Sequence, residues 1–331
     1  MSTADVLHDA QAIFRRYVHS SWVFSVLQER KLAGFIKDEA VGYAPRGGTL
    51  VEHLVARGHS AHDIVAAGIA RQGDDGRPRS LLRDRLTIPI HSTEGELVGF
   101  VGRAAPGVEN GPKYVNTIYA KRETVYGLCG AREALEGGAW PVLVEGILDV
   151  WAVRLAAAKA GLPLAPLAVC GTALTREHVE EIARVTPKPL TFMFDGDKAG
   201  AQAFIRAWEL ASEIRPGVGH RALGLPNGTD PADLWRSAPR LLRDVLSKPQ
   251  SAAQRVAELR VAQTPHARES VDTKVGIARR LGADLGRVPA SEVADYVRHV
   301  AALLRQDVMT TNATLIEGMG GRAADLGQPS R

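Results

Sequence analysis

Apolar positions set out the plan of the chain before any single residue does. Ala10, Ile13, Phe14, Tyr17 and Val18 recur at the spacing of one helix face, which predicts helix from about residue 5 to about residue 40. The run Gly42-Tyr43-Ala44-Pro45-Arg46-Gly47-Gly48 breaks that pattern. Short helices are expected over 49–57 and, with Ser60 as N-cap, up to 67. The polar stretch 72–80 reads as a loop, and 86–90 with 97–101 read as a strand pair around the turn Glu94-Gly95-Glu96. A loop at 104–112 and a helix at 132–136 follow.

From Pro141 the period changes. Short apolar runs at 142–144, 167–170, 190–194 and 222–225 alternate with helical patterns at 148–158, 176–185 (Thr175 as N-cap) and 199–214. Buried parallel strands read as continuous apolar runs, and strand–helix alternation argues for a parallel α/β sheet. Beyond about 240 the pattern is helical, with Val275, Ile277, Ala278, Leu281 and Leu285 on one face and Val293, Tyr296, Val297, Val300 and Leu303 on another. Residues 311–331, rich in Gly, Ala and Arg from Gly318, are expected to be disordered.

Two of the apolar runs end in carboxylates and glycine: Val144-Glu145-Gly146-Ile147-Leu148-Asp149, and Phe194-Asp195-Gly196-Asp197-Lys198-Ala199-Gly200. Each motif alone marks only a turn. Together they place Glu145 and the Asp195/Asp197 pair at the carboxyl ends of strands that can be neighbours, where α/β sheets bind ligands. Acids converging there repel one another unless a cation sits between them, and oxygen-only ligands favour Mg²⁺ or Mn²⁺. Gly146, Gly196 and Gly200 are read as backbone turns that allow close approach.

Composition narrows the class. The chain has 331 residues, 45% hydrophobic and 24% charged, enough for two domains or one elaborated one. No apolar stretch approaches the roughly 20 residues a membrane span needs, and no signal-peptide pattern opens the chain, so the expectation is a cytoplasmic protein without membrane partners. Its two cysteines, Cys129 and Cys170, form no CxxC pair, so no zinc is expected. The net charge is +4, and the cations cluster: Arg77, Arg79, Arg83 and Arg85, then Arg103, Lys113, Lys121 and Arg122. A basic surface beside an acidic metal site suits a polynucleotide-processing enzyme; a solvated surface of mixed charge is the plainer reading.

Glu145 with Asp195-x-Asp197 resembles the Toprim domain of primases and topoisomerases. The likeness to the bacterial DnaG-type primase is closer. Val144-Glu145-Gly146-Ile147-Leu148-Asp149-Val150, Gly171-Thr172-Ala173-Leu174-Thr175, Asp195 to Gly200, and Leu225-Pro226-Asn227-Gly228-Thr229-Asp230-Pro231 are similar to that family's Toprim motifs. Gly42-Tyr43-Ala44-Pro45, Arg83-Asp84-Arg85-Leu86-Thr87-Ile88-Pro89-Ile90, Gly99 to Arg103, Pro112-Lys113-Tyr114-Val115-Asn116, and Lys121 with Tyr126-Gly127-Leu128 resemble its upstream subdomain. The resemblance covers about 10 to 240. It departs from the family in lacking zinc ligands ahead of the core, in a C-terminal remainder short for a helicase-binding module, and in Ala232, where an aspartate often follows the proline, with Asp233 one step later.

The resemblance implies an α/β fold: a Toprim-type parallel sheet (139–237) preceded by a mixed α+β, basic subdomain (1–138) and followed by a helical subdomain (238–310). It implies a DNA-directed RNA polymerase, a metal-dependent nucleotidyltransferase making RNA primers on single-stranded DNA from nucleoside triphosphates. The setting would be DNA replication, of a plasmid, phage or mobile element, with a replicative helicase as candidate partner. Glu145, Asp195 and Asp197 would be catalytic, and with Asp149 and Asp230 would hold Mg²⁺ or Mn²⁺. Arg85, Arg103, Lys113 and Lys121 would contact phosphates, and Tyr114 either stacks on a base or packs in the core. A Toprim nuclease and a non-catalytic single-stranded-DNA-binding accessory are the alternatives; against a topoisomerase stands a length short for that family's gate domains.

Overall fold

The computed structural model describes residues 2–108, 111–171, 173–264 and 270–325, with side chains as far as 320. The predicted first helix is three: Thr3–Tyr17, Trp22–Glu29 and Phe35–Asp38. Ser21 ends the first run by capping the second, its hydroxyl accepting from Val23 N. Strands β1 (Gly42–Ala44), β2 (Ala70–Gln72), β3 (Pro78–Ser80), β4 (Arg85–His91), β5 (Leu97–Ala104) and β6 (Tyr114–Asn116) follow. An antiparallel sheet runs β1-β4-β5-β6, with Ile88 opposite Val101.

Two departures from expectation lie here. The 72–80 loop is in fact the turn and second strand of a small hairpin, β2 on β3, with Arg71 opposite Arg79. Its polarity hid it, because almost none of its side chains is buried. Gly42, read only as a helix breaker, belongs to β1. A Cβ there would lie 2.5 Å from the Phe14 Cβ and 2.7 Å from its backbone, so helix Thr3–Tyr17 lies directly against the strand.

The second sheet is built from β7 (Trp140–Val144), β8 (Leu164–Ala168), β9 (Thr191–Phe192), β10 (Arg221–Ala222) and β11 (Gln250–Ser251) in the order β11-β10-β9-β7-β8. The first four strands are parallel and β11 is antiparallel. Strand β8 lies earlier than the predicted 167–170 and includes Pro166, which an edge strand tolerates. Cys170 falls outside it with φ +50°.

One face of this sheet is covered by helices Arg176–Val185 and Lys198–Ile214 and by the C-terminal helices, around Phe192, Trp208 and Tyr296. The other is covered by helix Ile147–Ala160, helices Pro231–Ser237 and Pro239–Leu246, and the N-terminal subdomain, around Trp151 and Trp235. Phe35 stacks on Trp151 at 4.8 Å. Trp151 Nε1 donates to Tyr126 Oη (2.8 Å), which donates to Glu39 Oε2 (2.8 Å), and Arg154 pairs with Glu39. This buried polar chain fixes the first subdomain against the parallel sheet and so fixes the walls of the cleft between them.

The C-terminal end corrects the expectation of a disordered 311–331 over most of its length. Helix Val308–Asp325 packs on helix Val271–Leu285. The contact is close because both sides are glycine: a Cβ on Gly282 would lie 2.2 Å from Leu315 O, and one on Gly318 would lie 2.0 Å from Arg279 O. Residues 326–331 lie outside the described residues.

Candidate active site

Strands β7 and β9 are direct neighbours, Val142 opposite Thr191 and Leu143 opposite Phe192. Their carboxyl ends therefore bring Glu145 beside Asp195, and Glu145 Oε1 accepts from Asp195 N at 3.0 Å. Asp149, one turn into helix Ile147–Ala160, is 9% exposed and accepts from Ala232 N at 3.1 Å. Asp230 caps helix Pro231–Ser237 through Asp233 N (2.6 Å), and Asp197 caps helix Lys198–Ile214 through Gly200 N (2.7 Å). Backbone N–H groups thus hold four of the five carboxylates.

Asp195 is the exception. Its Oδ1 is buried with no hydrogen-bond partner among the described residues. Burial, then Glu145, Asp230 and Asp197, push its carboxyl up to about 7, against the milder pull of Lys113. Asp149 is raised well above the usual carboxylate range, by burial first and then by Asp230 and Asp195. Like charges crowded out of water are stabilised by a cation or a proton.

Glu145, Asp149, Asp195 and Asp230 share a cleft of about 320 Å³ with Arg30, Arg103 and Lys113. Asp197 lines an adjoining cavity, which also reaches Asp195. Arg103, near the end of β5, is only 5% exposed; among the described residues its Nε has no partner, its Nη1 reaches the Ala104 carbonyl at 3.4 Å, and its guanidinium also acts on the Tyr114 hydroxyl. The Lys113 ammonium stands 5.7 Å over the Tyr114 ring, and Tyr114 also lines the cleft, its hydroxyl held above its ordinary pKa by burial. Arg85 and Lys121 do not line it. Arg85 bonds the Lys113 carbonyl (3.3 Å), and the Lys121 carbonyl meets His178 Nε2 (2.8 Å).

Sequence reasoning missed Arg30, which follows helix Trp22–Glu29 and stands 3.9 Å from Asp233. No sequence signal marks it. Asp233 lies at the cleft mouth, paired with Arg30 and Arg236, whereas Ala232 is 4% exposed and supplies its N–H to Asp149. None of the three predicted turn glycines has positive φ. Gly196 and Gly200 serve close approach instead: a Cβ would fall 2.1 Å from Pro226 O and 2.2 Å from Asp195 O. At Gly146 it would meet the end of Asp149, at 2.9 Å. Thr172, in the motif beginning at Gly171, lies outside the described residues.

The donor set suits a hard divalent cation in kind, being all oxygen, and among the described residues Asp195 Oδ1 is a buried oxygen without a hydrogen-bond partner. Among the described residues, however, no three acidic, imidazole or thiol side chains stand at ready-made ligand spacing. Carboxylate rotation would have to close the set.

An acidic wall on a parallel sheet thus faces a cationic wall on an antiparallel one. Residues 17–132 match the profile of the DNA primase catalytic core, N-terminal domain, and residues 142–235 match a Toprim-like profile. The DNA primase of Mycolicibacterium smegmatis is 32% identical over 280 residues, 80% of this chain and 42% of that protein. That of Pseudomonas putida is 36% identical over 219 residues, 64% of this chain and 32% of it. The RNA polymerase domain of Mycobacterium tuberculosis primase DnaG superposes with a TM-score of 0.77 at 28% identity, covering 91% of this chain and 98% of that domain. The chain belongs to the DnaG-type DNA primase family and carries its catalytic core. It spans about two fifths of the length of the first of these relatives. No helix among the described residues is long and apolar enough to cross a membrane.

Proposed function

We propose that this core synthesises RNA primers on single-stranded DNA. The observation that carries the reading is the pairing, across one cleft, of an acidic centre at Asp195 with Arg103 and Lys113, cations that have no ion pair among the described residues. A polyanionic substrate bound at a divalent cation answers both walls at once. Related domains support the choice of occupant: the M. tuberculosis RNA polymerase domain has been solved with double-stranded DNA and with a double-stranded oligomer bearing a 6-nucleotide overhang.

The reaction is attack of a 3′-hydroxyl on the α-phosphate of a nucleoside triphosphate, with pyrophosphate leaving. Glu145, Asp195 and Asp197, with Asp149 and Asp230 completing the ring, would hold Mg²⁺ or Mn²⁺. Such an ion, when bound, lowers the hydroxyl's pKa and neutralises charge on the leaving group. The backbone N–H of Asp195 donates to Glu145 and so fixes the Glu145 carboxylate against the start of the Asp195 loop, leaving the Asp195 side chain free of that bond. Asp149 is kept in place by Ala232 N, beside Asp195 and Asp230. Arg103 and Lys113 orient phosphates opposite the acids, and Arg85 and Lys121 extend the cationic surface beyond the cleft.

The test is a primer-synthesis assay with single-stranded DNA, labelled ribonucleotides and Mg²⁺ or Mn²⁺, run beside Asp195→Ala. Short products that vanish in the variant are expected. A degraded template would instead favour a nuclease, and an intact template with no products would mean a missing partner module or an accessory binder.

A further inference from the structure

Tyr126 joins the two halves of the molecule, and it touches none of the groups assigned to the reaction. It lies between β6 and helix Leu128–Glu136 and is 4% exposed. Its backbone pairs with Ala168 in both directions, N–H to the Ala168 carbonyl at 2.8 Å and carbonyl from the Ala168 N–H at 3.1 Å. Its hydroxyl accepts from Trp151 Nε1 at 2.8 Å and donates to Glu39 Oε2 at 2.8 Å. Burial, then the Glu39 carboxylate, hold this phenol well above its ordinary pKa, so it keeps the proton it donates.

Each of these partners leads to the cleft. Trp151 is two residues past Asp149 on helix Ile147–Ala160. Ala168 ends β8, just before the lining residues Cys170 and Gly171. Glu39 closes the stretch that begins after Arg30, a lining cation of the N-terminal subdomain.

That stretch docks on the parallel-sheet subdomain along its length. Lys31 Nζ donates to the Arg236 carbonyl at 2.8 Å, and the Lys31 carbonyl accepts from Trp235 Nε1 at 3.2 Å. Phe35 stacks on Trp151, and Glu39 pairs with Arg154. Lys31 and Ala40, at its two ends, have left-handed backbone, φ +59° and +50°. Non-glycine residues keep that conformation only where the surroundings impose it. Ring stacking tolerates sliding, whereas a hydrogen bond weakens steeply with misalignment. The two bonds of the Tyr126 hydroxyl therefore set the angle and register of the docking, joining the helix of an acid to the segment behind a cation.

We infer that the Tyr126 hydroxyl, held between Trp151 and Glu39, is a positioning group that sets Asp149 against the cationic side of the cleft. This role rests on the primase reading but can fail separately from it. The test uses the whole chain with Tyr126→Phe, which removes only the hydroxyl, and with Glu39→Ala and Glu39→Gln. Primer-synthesis kcat, KM for the nucleotides and anisotropy of labelled single-stranded DNA are measured below each protein's melting temperature.

Tyr126→Phe and Glu39→Ala are expected to lower kcat by about tenfold, with KM and DNA affinity within about twofold of native. Glu39→Gln keeps an acceptor for the hydroxyl and should restore most of the rate. In a Lys113→Ala background, Tyr126→Phe should cost less in kcat/KM than it costs alone, because the cation it aligns is already gone. Native kcat in the folded variants, equal loss of rate and DNA affinity, or losses that simply multiply would each overturn the role and leave the hydroxyl a structural group. Should Tyr126→Phe not fold, the contrast between Glu39→Ala and Glu39→Gln decides the same point. No synthesis by the native chain would overturn the primase reading, and the positioning role with it.

Discussion

The two walls of the catalytic cleft are made by different means. The acidic wall stands on strand ends and helix starts. Glu145 follows β7, Asp195 follows β9, and Asp197 and Asp230 are N-caps. Backbone N–H groups satisfy most of these carboxylates before any ligand arrives. The cationic wall stands within and just after strands: Arg103 within β5 and Lys113 immediately before β6. Among the described residues neither cation has an ion pair; Arg103 is nearly buried and Lys113 is exposed. One wall is thus fixed by the backbone and left with one unpartnered oxygen; the other holds one packed and one mobile cation with donors to spare. The two share an unfilled capacity for opposite charge, which makes the cleft a binding site.

The sharpest way to break this comparison is to remove the one unsatisfied acid. Asp195→Ala should reduce primer synthesis by about a hundredfold or more, the scale expected when a group stabilising transition-state charge is lost. Single-strand binding should stay nearly intact, as measured by anisotropy. Equal loss of both would move Asp195 out of catalysis.

Next in size is the backbone of the acidic wall. Gly196→Ala places a Cβ 2.1 Å from the Pro226 carbonyl, which cannot step aside. Destabilisation of about 1–3 kcal/mol is expected in urea unfolding. Gly146→Ala, which meets only the end of Asp149, should cost less.

A third test uses protons in place of the metal. The Asp195 carboxyl titrates near pH 7 in the fold and near 3.8 in a free chain. A raised carboxyl contributes stability that is complete below about 3.8 and is lost as pH rises through about 7. In chelator, the melting temperature of the native chain should therefore fall between pH 5 and 8 by more than that of Asp195→Asn, and Mg²⁺ should restore it at pH 8. Parallel pH profiles for the two proteins would show that repulsion at Asp195 is not felt.

The smallest effect separates cations inside the cleft from those outside. Lys113→Ala should lower the salt slope of DNA binding by about one counterion. Arg85→Ala, whose side chain bonds a carbonyl instead of lining the cleft, should change it less. Equal slopes for both variants would erase the distinction.

The strand–acid–glycine runs at Glu145 and Asp195 were readable because a parallel strand is a continuous apolar run and its end is abrupt. Arg103 was readable only as a cation, since nothing in Gly99-Phe100-Val101-Gly102-Arg103 says that its guanidinium is buried. The hairpin at 70–80 went unseen because its strands are polar on both faces, and helix Val308–Asp325 because its glycines look like disorder until Gly282 stands opposite Gly318.

By itself, the sequence determined the period of each element, the acids at two strand ends and the family likeness, because these are local properties of consecutive residues. Only the tertiary structure decided that β7 and β9 are neighbours, that Asp197 turns toward a second cavity, that Arg30 joins the cleft, and that Asp195 alone lacks a partner. Those facts depend on strand order, on helix packing and on which N–H groups reach which carboxylates, and residues far apart in the chain settle them through space.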